Sequence, residues 1–273
     1  VSNQRLEEVL EVNKKQKEFY NVKKKNAATK LWSFMRNKLL SDFRKELKIN
    51  EQVYEKHKSW LGDLSNKKVL DLGCYAGNHL SLYLAENAKS YLGIDLSDKA
   101  IGQLNERLKD IPSAKAEAID FLSPDFTETD FDIIYAYGVL HHFESLDLLF
   151  GKLKEKLAKN GKLISYDPLK TSLPLRIIRG LYRPFQSDAD WEWPFTKKTV
   201  QRFHSEFNVV ERRAILGSSK WAFFLNLIPM SAEKKLNYIK KLHQKDWEQS
   251  LTNDTHLYKC MHLTMLMEQN TNS

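Results

Sequence analysis

Residues 69 to 80 read VLDLGCYAGNHL. A short apolar run enters Gly73, a second glycine follows at Gly77, and the helix-like stretch NHLSLYLAENA comes next. Strand, glycine turn and helix in that order mark a place where backbone can approach a ligand closely. A dinucleotide site wants G-x-G-x-x-G, so that a pyrophosphate can lie on the helix N-terminus. Here the run is G-C-Y-A-G and the middle glycine is missing. That argues against a pyrophosphate on this loop. It fits a ligand without phosphates, with Tyr75 pointing away from it.

Outward from the loop, the pattern alternates. KKVLDLGC, SYLGIDLS, AKAEAID, FDIIYAYGVL and GKLISYDPL read as strands, and helical patterns such as DKAIGQLNERLKD and LDLLFGKLKEKLAKN separate them. Strands and helices in that rhythm predict an α/β fold, a doubly wound, mostly parallel sheet. NVVERRAIL and HLYKCMHLTMLMEQ bring the strands to seven. On the last of these, His256, Tyr258, Cys260 and His262 fall on one face; a packed strand face is expected there rather than a metal site. Residues 1–65 read as an N-terminal helical cap on a domain spanning 66–273. Two segments interrupt that domain, a proline- and aromatic-rich lid at about 170–200 and a helical insertion at about 218–250.

The composition fits a soluble globular protein, with 42% hydrophobic and 29% charged residues in 273. No apolar run approaches the ~20 residues of a membrane span. The first twenty residues are charged throughout and lack the pattern of a secretory signal. Two cysteines, Cys74 and Cys260, form no framework, and a cytoplasmic setting is expected. The net charge is +8, and residues 1–66 hold 15 Lys/Arg against 9 Asp/Glu. The basic excess is therefore concentrated at the N-terminus, where a solvated helix surface is its plainest explanation.

Ligands of doubly wound sheets bind beyond the carboxyl ends of the strands. Gly73 and Gly77 follow the first strand, Asp95 ends the second, Asp120 the third, and Tyr137 to His142 follow the fourth. Taken together, VLDLGCYAG, YLGIDLS, AIDF and FDIIYAYGVLHHF resemble class I S-adenosylmethionine-dependent methyltransferases, in particular the small-molecule group that includes the quinone-type enzymes. The resemblance covers residues 66–168 well and the remainder to about 267 more loosely. It implies S-adenosyl-L-methionine as cofactor and a Rossmann-like sheet whose last strand is antiparallel. It also implies cofactor contacts. Asp71 and Gly73 would face the methionine end, Cys74 and Gly77 of the same loop would also bind the cofactor, Asp95 would accept the ribose hydroxyls, and Leu96 would lie against adenine. Asp120 would accept from the adenine amine, Phe121 would pack on the ring, and Tyr137 would run beside the methionine moiety. Tyr75 stands where the family usually has glycine.

Methyl transfer needs an acid–base residue only when the acceptor must lose a proton. His142, and behind it His141, are the candidates for that role. Tyr166, Asp167, Trp191, Trp193 and Arg179 are candidates for the acceptor side, and Tyr20, Trp32 and Arg36 for closing the cofactor pocket. The expected acceptor is a small molecule bound by a monomer or homodimer, with methylation on oxygen or nitrogen and no metal. Two other readings compete: an RNA methyltransferase using the basic N-terminal region, and a non-enzymatic partner protein keeping a cofactor pocket. The fourth strand lacks the D/N-P-P-Y/F motif of base N-methylating enzymes, so a nucleic-acid acceptor is the less favoured of the enzymatic readings.

Overall fold

The computed structural model describes residues 3–22, 30, 44–185 and 189–270. Among the described residues, helices α1 (Asn3–Val22) and α2 (Ile49–Leu61) precede the sheet. The chain then runs β1 (Lys68–Leu72), α3 (Ser81–Asn87), β2 (Ser90–Asp95), α4 (Asp98–Leu108), β3 (Ala114–Ala118) and β4 (Phe131–Tyr137). It continues through α5 (Leu146–Lys156), β5 (Leu157–Pro168), α6 (Leu173–Tyr182), α7 (Lys197–Glu206) and β6 (Phe207–Ile215). Helices α8 (Ala232–Gln249) and α9 (Asp254–Leu257) and strand β7 (His262–Gln269) complete it.

The seven strands form one sheet in the order β3-β2-β1-β4-β5-β7-β6. The first five are parallel, and β7 runs antiparallel between β5 and β6. The order reverses between β1 and β4, which opens the crevice that such sheets offer to ligands. Apolar residues pack both faces. Leu70, Leu72, Ile134 and Met265 belong to one buried cluster, and Val69, Ile133, Tyr135 and Leu266 to the other. With both faces covered, β1 is buried along nearly its whole length and reads as a continuous apolar run rather than an alternating one.

Side-chain caps start the helices that return to the sheet. Ser97 accepts from the Ala100 amide at α4, Ser145 from Leu148 at α5 and Thr196 from Thr199 at α7. Helix α2 is pinned by His57, whose ring nitrogens lie 3.0 Å from the Tyr135 hydroxyl and 2.7 Å from Thr264 Oγ1. Burial pushes the His57 pKa down to about 3, so this histidine is a neutral spacer.

The two segments expected as insertions are each tied down at the base. The Leu169–Phe195 bridge, the Lys170 amide to the Phe195 carbonyl (2.7 Å) and the Phe195 amide to the Pro168 carbonyl (2.9 Å) close the neck of the first. The second is held by buried Asp246 on α8, which accepts from the amides of Gly217, Ser218 and Ser219 at 2.8–2.9 Å. The expectation that His256 and His262 share a strand face is corrected. Strand β7 begins only at His262, and His256 sits in the short helix α9, with Nε2 2.9 Å from Asp246 Oδ1. Asn253 caps that helix through the His256 amide, and this cap breaks the apparent alternation.

Candidate active site

The loop after β1 folds back on the end of β2. Both the Gly73 and Cys74 amides donate to the Ile94 carbonyl, at 2.8 and 3.1 Å. The backbone has φ of +70° at Gly73, +49° at Tyr75 and +95° at Gly77. A Cβ on Gly73 would run into the Val139 side chain, so glycine is required there on two counts. Tyr75 occupies the left-handed region without being glycine, which explains why glycine would be the easier residue at that position. Its amide donates to Asp95 Oδ2 at 3.0 Å, and its side chain is exposed at the rim.

A cavity of about 360 Å³ opens beside this loop. Gly73, Cys74, Tyr75 and Gly77 from the first strand end line it, with Asp95 and Leu96 from the second and Asp120 and Phe121 from the third. Tyr137, Gly138, Val139 and His142 come from the fourth. Of the nine expected cofactor contacts, eight therefore meet in one place.

The ninth, Asp71, is corrected. It is fully buried beneath the loop and does not line the cavity. Its carboxylate accepts from Ser81 Oγ at 2.6 Å, Tyr91 Oη at 2.9 Å and Asn78 Nδ2 at 3.0 Å. Burial pushes its pKa up to about 6, against the pull of those donors. Asp71 fastens the loop from below.

Helix α1 lies across the cavity and contributes Asn13, Gln16 and Tyr20. Asn13 Nδ2 donates to Asp120 Oδ2 at 2.7 Å, Ser97 Oγ donates to Asn21 Oδ1 at 2.8 Å, and Lys17 Nζ lies 2.9 Å from Asp98. Asp120 is largely buried, and that burial raises its pKa despite the Asn13 and Leu122 donors. Asn13 and Gln16 were not foreseen. Their signal was available, because the inward face of α1 runs Leu6, Val9, Asn13, Gln16, Tyr20, changing from apolar to amide side chains at helical spacing. Of the residues considered for pocket closure, Tyr20 is in place, while Trp32 and Arg36 lie outside the described residues.

The two histidines have different surroundings. His142 lines the cavity, with Nδ1 2.6 Å from the Trp191 carbonyl and 3.5 Å from the Tyr20 hydroxyl. A carbonyl only accepts, so Nδ1 carries the proton and Nε2 is the basic nitrogen of the neutral ring. His141 is buried one layer back; its backbone N–H and its Nδ1 meet Asp167 Oδ1 at 3.1 and 2.8 Å. The two imidazoles are in contact, with centroids 4.1 Å apart.

The expected acceptor residues are only partly gathered. Asp167 is fully buried and serves His141, and burial pushes its pKa up to about 7. Tyr166 is buried in a ring stack between Tyr137 (4.6 Å) and His262 (5.2 Å). Trp191 contributes its carbonyl to His142, and the Trp193 amide donates to the His141 carbonyl at 2.7 Å. Thus the tryptophans fasten the lid to the histidines through backbone. The backbone of Arg179 lies in α6, and its side chain is outside the described part of the molecule.

The cavity chemistry suits an adenosyl sulfonium. Two carboxylates face it, glycine backbone lines one wall, and among the described lining residues there is no Lys or Arg to balance a phosphate. Residues 70–163 match a family model described as a methyltransferase domain. A tRNA U34 carboxymethyltransferase of Colwellia psychrerythraea is 35% identical over 106 residues, 38% of this chain and 33% of that protein. A phosphoethanolamine N-methyltransferase of Plasmodium falciparum is 26% identical over 203 residues, 72% of this chain and 69% of that protein. The chain spans less than half the length of the first curated relatives it matches. Among solved structures, the N-methyltransferase NodS of Bradyrhizobium japonicum with S-adenosyl-L-homocysteine shares the fold, with a TM-score of 0.51 at 16% identity, covering 81% of this chain and 86% of that one. The β1 loop, the strand order and the matched segment agree, and residues 70–163 carry an S-adenosylmethionine-dependent methyltransferase domain.

Proposed function

We propose that the protein transfers a methyl group from S-adenosylmethionine to an oxygen or nitrogen of a small-molecule acceptor. The observation that carries this reading is His142, a cavity-lining imidazole whose proton is fixed on Nδ1 by the Trp191 carbonyl. The cofactor, when bound, supplies an already activated methyl group on its sulfonium. The chain's own residues bind, orient and deprotonate. Asp95 offers carboxylate oxygens to ribose hydroxyls, and Asp120 offers one to the adenine amine. Leu96 and Phe121 give apolar contact to the adenine ring. Nε2 of His142 accepts the proton that an acceptor hydroxyl or amine loses. Trp191 and Trp193 hold the lid over that nitrogen and help keep water out.

The absence of Lys and Arg from the described lining residues also supports methyl over carboxymethyl transfer, because a carboxylate beside the sulfonium would lack a counter-charge. The tRNA-acting relatives, together with the basic N-terminal region, favour a second reading in which the acceptor is RNA. Their matches cover only about two-fifths of this chain.

His142→Ala is expected to cut turnover about 100-fold or more while leaving S-adenosylhomocysteine affinity unchanged by calorimetry. Unchanged turnover would remove His142 as the base. Labelled methyl appearing in a small-molecule extract supports the first reading. Label in RNA, with affinity falling steeply as salt rises, replaces it with the second.

A further inference from the structure

The lid presents a feature that methyl transfer does not use. Helix α6 leaves Leu173, Ile177 and Leu181 exposed at 65%, 56% and 73%. These residues are four apart, and at about 100° per residue they fall within roughly 80° of arc, forming one stripe along the helix. Three large aliphatic side chains aligned in water over nine residues differ from the singly scattered apolar residues of an ordinary surface. The flanking charge has a single sign. Between Asp167 and Asp188 the sequence carries Lys170, Arg176, Arg179 and Arg183 and no acidic residue. Arg176 is exposed and sits off the apolar stripe by its position on the helix.

An apolar stripe with basic residues beside it is the pattern of a helix lying in the plane of a bilayer surface, with anionic headgroups meeting the cations. Among the described residues no helix is long and apolar enough to cross a membrane, so the contact this pattern supports is along the surface. The helix belongs to the lid, whose neck is closed at Pro168 and Phe195 and whose later turn touches His141 and His142 through Trp193 and Trp191.

We infer that α6 is an interfacial docking helix, which seats the acceptor side of the protein on a membrane surface containing anionic lipid. Leu173, Ile177 and Leu181 enter the headgroup region, and exposed Arg176 beside them meets the lipid phosphates. This inference does not rest on the proposed methyl transfer.

The test is sedimentation of the full chain with vesicles, either of phosphatidylcholine alone or with about one-third phosphatidylglycerol. Binding is expected to the anionic vesicles, weakening as salt rises. The triple variant Leu173→Ser, Ile177→Ser, Leu181→Ser should lower it about 30-fold or more. Arg176→Glu should lower it about fivefold or more. Leu181→Ser alone, the mildest change, should lower it about threefold, which keeps the test open should the triple variant not fold. Unchanged S-adenosylhomocysteine affinity in the variants assigns the loss to the lid. Failure to sediment with either vesicle overturns the inference, and so does equal binding by wild type and the apolar variants. Indifference to Arg176→Glu and to salt overturns the anionic partner. A dimer in light scattering that the triple variant disperses would instead place a second copy of the chain on this face.

Discussion

The ends of β1 and β5 look alike and behave differently. Each strand has a fully buried aspartate as its penultimate residue, Asp71 in one and Asp167 in the other. Asp71 is surrounded by donors on both oxygens, from Asn78, Ser81 and Tyr91. Asp167 is served on Oδ1 by His141, the Leu140 backbone adds a weaker pull, and Oδ2 has no hydrogen-bond partner among the described residues. Burial raises both pKa values, to about 6 at Asp71 and about 7 at Asp167. A carboxylate ringed by donors works as a structural anchor that stays ionised at neutral pH. One held from a single side sits near its midpoint there, coupled to the imidazole that holds it. The first fixes the loop of the cofactor cavity, and the second fixes the histidine pair.

Removing the anchor should have the largest effect. Asp71→Ala leaves three side-chain donors buried without an acceptor, and chemical denaturation should show a loss of about 3 kcal/mol or more, with cofactor binding lost as the loop relaxes. A loss below about 1 kcal/mol would erase the distinction between the two aspartates.

The next contrast is in pH dependence. An aspartate whose folded pKa is raised binds more protons folded than unfolded, so its contribution to stability falls as pH rises from the unfolded value toward the folded one. For Asp71 that fall ends near pH 6, and for Asp167 it continues to about 7. Asp167→Asn keeps an oxygen for the two His141 donors and removes the titration. Relative to Asp167→Asn, wild type should therefore lose stability between pH 6 and 7, as read from the difference in denaturation midpoints; buried histidines such as His57 titrate in the unfolded chain alike in both proteins and cancel in that difference. Parallel curves would show that Asp167 is not the group titrating there.

The smallest effect is expected at Tyr75. The loop is held from below by Asp71 and from the side by Ile94, so the strain at φ +49° is local. Tyr75→Gly relieves about 1 kcal/mol of backbone strain and gives back a similar amount in chain entropy. Its melting temperature should stay within a few degrees of wild type, and its S-adenosylhomocysteine affinity within about threefold. A large loss would mean that the ring itself holds the loop.

Much of this site was legible in the sequence because strand ends are easy to find and aspartates there are conspicuous. Asp95 and Asp120 line the cavity from such strand ends, and so do Gly73, Gly77 and His142. The fate of Asp71 was not legible. A strand covered on both faces carries no alternation, so nothing in VLDLG says which residue faces the cavity and which lies under it. Asp167 escaped for the same reason on β5, whose last turns are buried continuously. The roles of Trp191 and Trp193 escaped because they act through backbone atoms, which residue type does not encode. The closing face of α1 could have been read from Asn13 and Gln16, two amides on an otherwise apolar stripe. The false strand at His256 came from giving residue alternation more weight than the Asn253 cap beside it.

The closed neck between Pro168 and Phe195 makes the lid separable from the sheet. Because the chain leaves and returns at adjacent points, the stretch between them can change length or composition without disturbing strand register, and loop closure costs little as length grows. The whole segment is then exchangeable between proteins of this architecture as a cassette, with the strand ends that build the cavity left as they are.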